Sequence, residues 1–160
     1  MAPRLETIFG KILIGKQLKM SLKENRTAEL WRSFMPLRNT ILNPVSSDLF
    51  SLQIYQHNDD YMNPESEFVK WAAVEVSDNM EVPEGMESYF LSGGLYAVFL
   101  HKGGPQNFRE TFDFIYSEWM PTSGYIVDHR EHFEKLGDKY KNNDPDSEEE
   151  IWIPVKRRED

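Results

Sequence analysis

The chain has 160 residues, the size of one ordinary domain that can bury a core without disulfides or a metal. Its 27 acidic and 18 basic residues give a formal charge of −9, which argues against direct nucleic-acid binding because phosphate backbones are repelled. There is no cysteine, which excludes a disulfide scaffold, thiol catalysis and thiolate zinc sites.

The N-terminus lacks the apolar core of a signal peptide, and no apolar run approaches the roughly 18 residues of a membrane span. We therefore expect a cytoplasmic protein that has no membrane partner. The acidic surface is explained by solubility, and it is also compatible with attraction of cationic ligands or with mimicry of nucleic acid. Aromatic residues reach 13% of the chain, and such rings tend to line ligand sites.

The first half of the chain predicts a strand, a helix and two further strands. Apolar residues alternate over 11–22, which is typical of a half-buried strand. Residues 30–35 have helical spacing, and Pro36 ends or kinks that helix. Alternation over 50–54 and the apolar stretch 69–76 predict the second and third strands.

The second half predicts the same order of elements. The nearly continuous apolar run 94–101 indicates a central strand, and the Gly-Gly-Pro segment 103–105 begins a helix. That helix carries the clearest apolar stripe of the chain, formed by Phe108, Phe112, Ile115 and Trp119. A short strand is predicted over 125–127 and a last strand over 151–155.

Two polar segments of the second half are interpreted as loops. The charged stretch 129–139 lies between predicted strands, and 141–150 ends in an acidic run. For 141–150 we favour a solvated hairpin loop over a cation-binding patch.

These elements predict one α+β domain over 1–160, with two βαββ halves at about 10–77 and 90–156. Phe34-Met35-Pro36 and Trp119-Met120-Pro121 end the two predicted helices and form a faint internal repeat. We expect an antiparallel sheet, two main helices packed on it, and a groove between the halves where a small molecule binds.

Four sequence pieces, in this order, carry a family resemblance: GGLYAVFLHKG, an aromatic helix ending in W-x-P-x-S-G-Y, a Phe-Glu pair, and EIWIPV. The chain resembles the GyrI-like effector-binding family, most closely over about 69–156 and more loosely over 10–56. This domain is the ligand-binding part of AraC- and MerR-type multidrug regulators, and it also forms free-standing DNA-gyrase-inhibitor proteins.

The resemblance implies two βαββ halves around a central groove, in which an acid neutralises lipophilic cations stacked on aromatic rings. The Glu of the Phe-Glu pair corresponds to Glu134, while Leu136 stands where the family often has a tyrosine. From its neighbours alone, Glu134 is equally compatible with an exposed acid in a charged stretch. No helix-turn-helix segment is recognised, so we expect a stand-alone module rather than a complete transcription factor.

Seven residues are candidates for contact with the ligand. Glu134 would supply the charge, because a carboxylate in an apolar cleft is stabilised by a cation and rings add cation–π attraction. The aromatic candidates are Tyr125, Trp119, Tyr96, Trp152, Trp31 and Tyr55, of which Trp119, Tyr96 and Trp31 have a role in the core as the alternative.

The chemistry of a cofactor or metal is not expected. Four histidines, at 57, 101, 129 and 132, are present, but they lack a second matched pair of ligands. No phosphate-binding glycine loop or nucleophile elbow occurs.

The favoured function is binding of an aromatic, cationic or amphipathic small molecule, as a sensor or sequestering module of transcription regulation that works with a separate regulator. One alternative is hydrolysis of strained cyclopropanoid toxins, with Glu134 as general base and Tyr125 as proton donor. The other is inhibition of DNA gyrase through the acidic surface.

Overall fold

The computed structural model describes residues 2–56 and 61–159. The first part of the chain forms β1 (Arg4–Ile8), β2 (Lys11–Ser21), α1 (Thr27–Phe34), a 3₁₀ turn (Met35–Thr40), β3 (Leu49–Tyr55) and β4 (Glu67–Val76). Pro36 stands at the start of the 3₁₀ turn, where its missing N–H leaves no helical bond unmade.

The second part begins with β5 (Glu87–Leu91) and β6 (Gly94–Lys102). A continuous second helix over 105–122 follows, and it consists of a 3₁₀ turn (Pro105–Asn107), α2 (Phe108–Asp113), a π-helical segment (Phe114–Trp119) and a last turn (Met120–Thr122). The chain then forms β7 (Tyr125–Val127), β8 (His132–Leu136) and β9 (Glu148–Arg157).

All the strands belong to one antiparallel arrangement in the order β1-β6-β9-β8-β3-β4-β2-β5, with β7 added to β9. Each half is a βαββ unit: β2, α1, β3 and β4 in the first, and β6, the second helix, β8 and β9 in the second. The halves join where β3 pairs with β8, with Ser51 opposite Glu134. The predicted α+β fold with two βαββ halves is confirmed.

The outer strands are exchanged between the halves. β1 precedes β2 in the chain but pairs with β6, and β5 precedes β6 but pairs with β2. Only residues 9–10 link β1 to β2, so the two ends of the sheet must curve towards each other. The turn after β1 and the turn after β5 touch, as this curvature requires. A Cβ added at Gly93 would lie 2.5 Å from the Ile8 carbonyl oxygen.

The curved sheet separates three apolar cores. The inner one lies on the face away from the helices and is built by seven strands from both halves; it contains Leu13, Phe50, Leu52, Trp71, Ala73, Leu91, Tyr96, Val98, Phe133 and Trp152. On the outer face, α1 packs over β2 and β4 through Leu30 and Phe34. The second helix packs over β6 and β9 through Ile115 and Met120. Within the described ranges, no helix has the length and apolar character needed to cross a membrane.

Two interpretations of loops are wrong in part, although residues 141–147 do form the predicted hairpin loop. The stretch 129–139 contains β8, in which the helix-facing His132 and Glu134 are polar and so hide the apolar alternation of a strand. The acidic run 148–150 is the start of β9, and Glu149 is buried there. The strand predicted at 125–127 exists, but β8, not β7, is the counterpart of β3 in the second half.

Candidate functional site

A polar groove lies over the centre of the sheet, between α1 and the second helix. Its floor is formed by the alternate residues of β3 and β8 that point away from the inner core. Ser51 lies opposite Glu134, and Gln53 lies opposite His132, across the junction of the two halves. The groove therefore contains side chains of both halves, and polar groups replace the apolar residues that cover the rest of this face.

Two acids meet in the groove. Glu134 comes from β8 and Glu149 from β9, and their carboxyl groups are close enough for Glu134 to raise the pKa of Glu149. The side chain of Glu149 is only 6% exposed, and its Oε2 atom has no hydrogen-bond partner among the described residues. Burial, together with the charge of Glu134, raises the pKa of Glu149 to about 9. Glu149 therefore keeps its proton at neutral pH, because burial and the nearby charge of Glu134 disfavour its ionised form.

One ammonium group partly balances the acids. Lys70 lies on β4, and its positive charge favours the ionised form of Glu149, although burial and Glu134 outweigh this effect. The Lys70 Nζ donates a hydrogen bond of 3.3 Å to Thr27 Oγ1 in the first turn of α1. The groove thus holds two carboxyl groups and one built-in cation.

A row of stacked rings runs along the second helix. His101 on β6 stacks on Phe108 with centroids 4.3 Å apart, Phe108 stacks on Phe112 at 5.8 Å, and Phe112 stacks on Tyr116 at 6.4 Å. Tyr116 in turn stacks on Tyr61 at 5.9 Å. Such a row offers the flat, electron-rich faces that attract an organic cation.

Tyr116 connects this row to the acids. Burial raises the pKa of its hydroxyl well above the ordinary value, and the neighbouring Tyr55, Tyr61 and Glu134 add to the shift. The pKa of Tyr140 is also raised by burial and by Glu149 and Glu134. Neutral phenols therefore surround the carboxyl pair.

Tyr61 covers one end of the groove. Its ring centroid lies 4.8 Å from that of Tyr55, 4.7 Å from that of His132 and 5.9 Å from that of Tyr116. Beside these rings a cavity of about 190 Å³ opens towards Tyr89 and Ser92. An aromatic ligand that lies against Tyr116 must share or take the place of Tyr61.

His132 is an uncharged buried imidazole at the same end. It is 4% exposed, and its Nε2 atom has no hydrogen-bond partner in the described part of the chain. Burial, with a smaller effect of Arg130, lowers its pKa to about 3. A group with a hydrogen bond to offer would therefore find an unused partner here.

The neighbouring charged residues have structural partners. Glu131 accepts hydrogen bonds from the Tyr89 hydroxyl at 2.8 Å and the Ser92 hydroxyl at 2.6 Å. Arg130 binds Asp128 and the Leu95 carbonyl and lies over the ring of Tyr96. These residues close the end of the inner core rather than line the groove.

The structure brings only two of the seven candidates together at the groove. Glu134 and Tyr55 line it, whereas Tyr96 and Trp152 lie in the inner core on the other face of the sheet. Trp119 and Tyr125 stack on each other with planes 8° apart, packed against the core under the second helix.

Trp31, the remaining candidate, packs edge-on against Phe34 in α1. Among the histidines considered as metal ligands, His57 lies outside the described residues, and the residues that are described contain no group of three or more potential ligands.

Several groove residues were missed by the sequence reasoning: Tyr61, Lys70, Phe108, Phe112, Tyr116, His132, Tyr140 and Glu149. A signal existed for part of this set, since Phe108, Phe112 and Tyr116 recur at intervals of four and so share one helix face. No signal distinguishes Glu149 from its acidic neighbours, because only the register of β9 shows which of them faces the groove.

Comparisons with known proteins identify the family of the chain and agree with its fold. The family described as GyrI-like small molecule binding domain matches residues 1–156. The transcriptional regulator BrlR of Pseudomonas aeruginosa is 26% identical over 144 residues, 89% of this chain, which spans about half of that relative (51%). A DNA gyrase inhibitor of Erwinia billingiae is 30% identical over 109 residues, which are 64% of this chain and 68% of the relative.

Among solved structures, SAV2435 bound to tetraphenylphosphonium shares the fold with a TM-score of 0.76 at 17% identity, over 98% of this chain and 94% of that one.

Proposed function

Because the chain belongs to the family of GyrI-like small-molecule binding domains, we propose that its groove binds an aromatic monocation and that Glu134 is the opposing charge. The observation that carries the proposal is the position of Glu134 near Tyr116, whose ring stacks on Tyr61. A carboxylate at such a site gains more from a cation than it would in water, because the local dielectric is low.

The rings provide the second part of the proposed affinity. Tyr116 and Phe112 present stacked faces on the helix side, and Tyr55 lies on the floor. Each cation–π contact contributes roughly 0.5–2 kcal/mol, depending on how well water is excluded. The combination favours ligands that carry both aromatic rings and a positive charge, and it gives no comparable attraction to anions.

The biological role we propose is sensing or sequestering such a molecule as a module of transcription regulation. The relation to a transcriptional regulator supports this role, since the match lies in a shared small-molecule binding domain. In this role the ligand would change how the chain binds a separate regulator.

Calorimetric titration with tetraphenylphosphonium, hereafter the probe cation, tests the proposal. Tetraphenylborate is the matched control, because it has the same shape and the opposite charge. We expect the wild type to bind the probe cation and not the borate. Glu134→Gln should lower the affinity at least tenfold, which is what loss of one charge-assisted contact of about 1.4 kcal/mol produces.

Glu148→Gln is the control variant, since Glu148 lies on the same strand as Glu149 but on the opposite face of the sheet. It should bind like the wild type. If Glu134→Gln binds as tightly as the wild type, Glu134 isn't the opposing charge. Mass spectrometry of protein incubated with a cyclopropane-containing substrate tests the hydrolysis alternative, and a supercoiling assay with purified gyrase tests the inhibitor alternative.

A further inference from the structure

The proposed binding reaction leaves one groove acid unused. Glu149 has no place in a site built on Glu134 alone, yet it is buried and its Oε2 atom is unpartnered among the described residues. A buried carboxyl oxygen without a donor is unfavourable, so such an atom is rarely retained for stability.

We propose that Glu149 is a second acid of the groove, and that the proton it shares with Glu134 in the empty protein is released to solvent when a monovalent cation enters. This inference rests on the proposed function, and it adds the means by which binding is coupled to pH. The groove is then a cation–proton exchanger, in which the ligand's charge takes the place of the proton's.

The balance of charge in the groove supports this exchange. In the empty groove, Lys70 carries one positive charge, and the pair Glu134 and Glu149 with one proton carries one negative charge. When a monocation binds and the proton leaves, two positive charges face two carboxylates. Both states are neutral, so neither buries an uncompensated charge.

The tyrosines that face Glu149 do not take up the released proton. Tyr140 and Tyr116 are phenols with raised pKa values, so they stay protonated and neutral at physiological pH. His101 lies opposite Glu149 on β6, and its ring nitrogens lie 2.8 Å from Thr111 Oγ1 and 3.2 Å from the Gly104 carbonyl oxygen.

His132, on the Glu134 side, is also unsuitable as a proton acceptor, because burial has lowered its pKa to about 3. The proton therefore passes to water or buffer, where it can be counted.

Calorimetry in two buffers counts the released protons. The probe cation is titrated into wild type at one neutral pH, once in phosphate and once in Tris, whose ionisation enthalpies differ strongly. We expect about one proton released per bound cation, and an affinity that rises up to tenfold per pH unit below the pKa of the pair. Glu149→Gln mimics the protonated acid, so it should bind with no proton release and no pH dependence.

A second measurement needs no ligand. Carboxyl-carbon NMR of glutamate-labelled protein should show one group that titrates near pH 9. This signal should be lost in Glu149→Gln and kept in Glu148→Gln.

The outcomes separate this inference from the proposed function. Binding of the probe cation without proton release, or with the same release in Glu149→Gln, overturns the exchange and leaves Glu134 as the only acid needed. Absence of binding in every variant overturns the proposed function and the exchange together. Glutamates that all titrate near ordinary values in the ligand-free protein also overturn the exchange.

Discussion

The buried imidazole of His132 makes the stability of the protein sensitive to acid. Its pKa is about 3 in the folded chain and near its ordinary value of 6.5 after unfolding. Between these values the unfolded state binds the extra proton. The contribution is therefore fully present above pH 6.5 and is lost as the pH falls towards 3.

We predict that His132→Phe removes this loss, because phenylalanine keeps the ring that contacts Tyr55 and Tyr61 and has no proton to bind. Between pH 6.5 and 5 the wild type should lose about 2 kcal/mol more of its free energy of unfolding than the variant. Urea denaturation of both proteins at pH 7 and pH 5 measures the difference.

Glu149 changes stability with pH in the opposite direction, but it is present in both the wild type and His132→Phe. Its effect therefore cancels when the two proteins are compared. Its raised pKa lowers stability as the pH rises from 4.5 towards 9. Equal losses of stability in wild type and His132→Phe would contradict a neutral, buried imidazole.

Two tyrosines distinguish the groove from the site that the sequence favoured. Tyr116 lies near Glu134, whereas Tyr125 is stacked on Trp119 under the helix. We predict that Tyr116→Leu weakens binding of the probe cation by roughly 2- to 30-fold, the equivalent of one cation–π contact of 0.5–2 kcal/mol. Tyr125→Leu should leave the affinity unchanged. Titration of both variants settles the assignment, and the reverse result would favour Tyr125.

The close contact between β2 and β4 requires glycine at position 15. A Cβ there would lie 2.0 Å from the Ala72 carbonyl oxygen and 2.7 Å from the Ala73 Cα, both backbone atoms that cannot move alone. β2 is paired on both sides at this point, with β4 and with β5. The strand therefore has no free edge towards which it could shift.

We predict that Gly15→Ala lowers the free energy of unfolding by about 1–3 kcal/mol, the usual range for overpacking. Gly104→Ala is the control, because its Cβ would meet only the flexible side chain of Gln106. Thermal denaturation should show a clear fall in Tm for the first and a small change for the second. A Tm for Gly15→Ala equal to that of the wild type would show that β2 and β4 separate easily.

The elements differ in how visible they are in the sequence. β2 and β3 were predicted because apolar residues alternate along them, and β4 was predicted because most of its residues are apolar. β8 escaped because its outward residues, His132 and Glu134, line the groove and are polar for that reason. The polar residues of the proposed site therefore hide the apolar alternation that would have identified β8 as a strand.

Other features depend on register and pairing, which a single sequence does not encode locally. β1 and β5 have five residues each and take their stability from strands distant in the chain, β6 and β2. The π-helical segment over 114–119 preserves the same apolar stripe as an α-helix, so spacing alone cannot reveal it.

The exchange of β1 and β5 makes each half depend on the other. The inner core takes residues from both halves, and each outer strand completes the sheet of the other half. We predict that fragments 1–79 and 80–160, separated in the link that carries the 88% exposed Met80, do not fold alone but recover the native state when mixed.

Circular dichroism and size-exclusion chromatography test this behaviour. Each fragment alone should show no cooperative thermal transition. The mixture should elute as a one-to-one complex that does show a cooperative transition. As a control, full-length protein nicked in the same link should retain its transition. A cooperative transition in either isolated fragment would show that its half is self-sufficient.

The exchanged strands also bear on how such a chain arose. A half-length chain with this topology would leave its first strand unpaired as a monomer, whereas two copies in a homodimer could each pair that strand with the partner's sheet. Gene duplication that joins two copies in one chain would keep this exchange of strands and would allow the two copies to diverge in sequence. Because the two halves can change independently, their junction can be asymmetric, with Ser51 in β3 opposite Glu134 in β8.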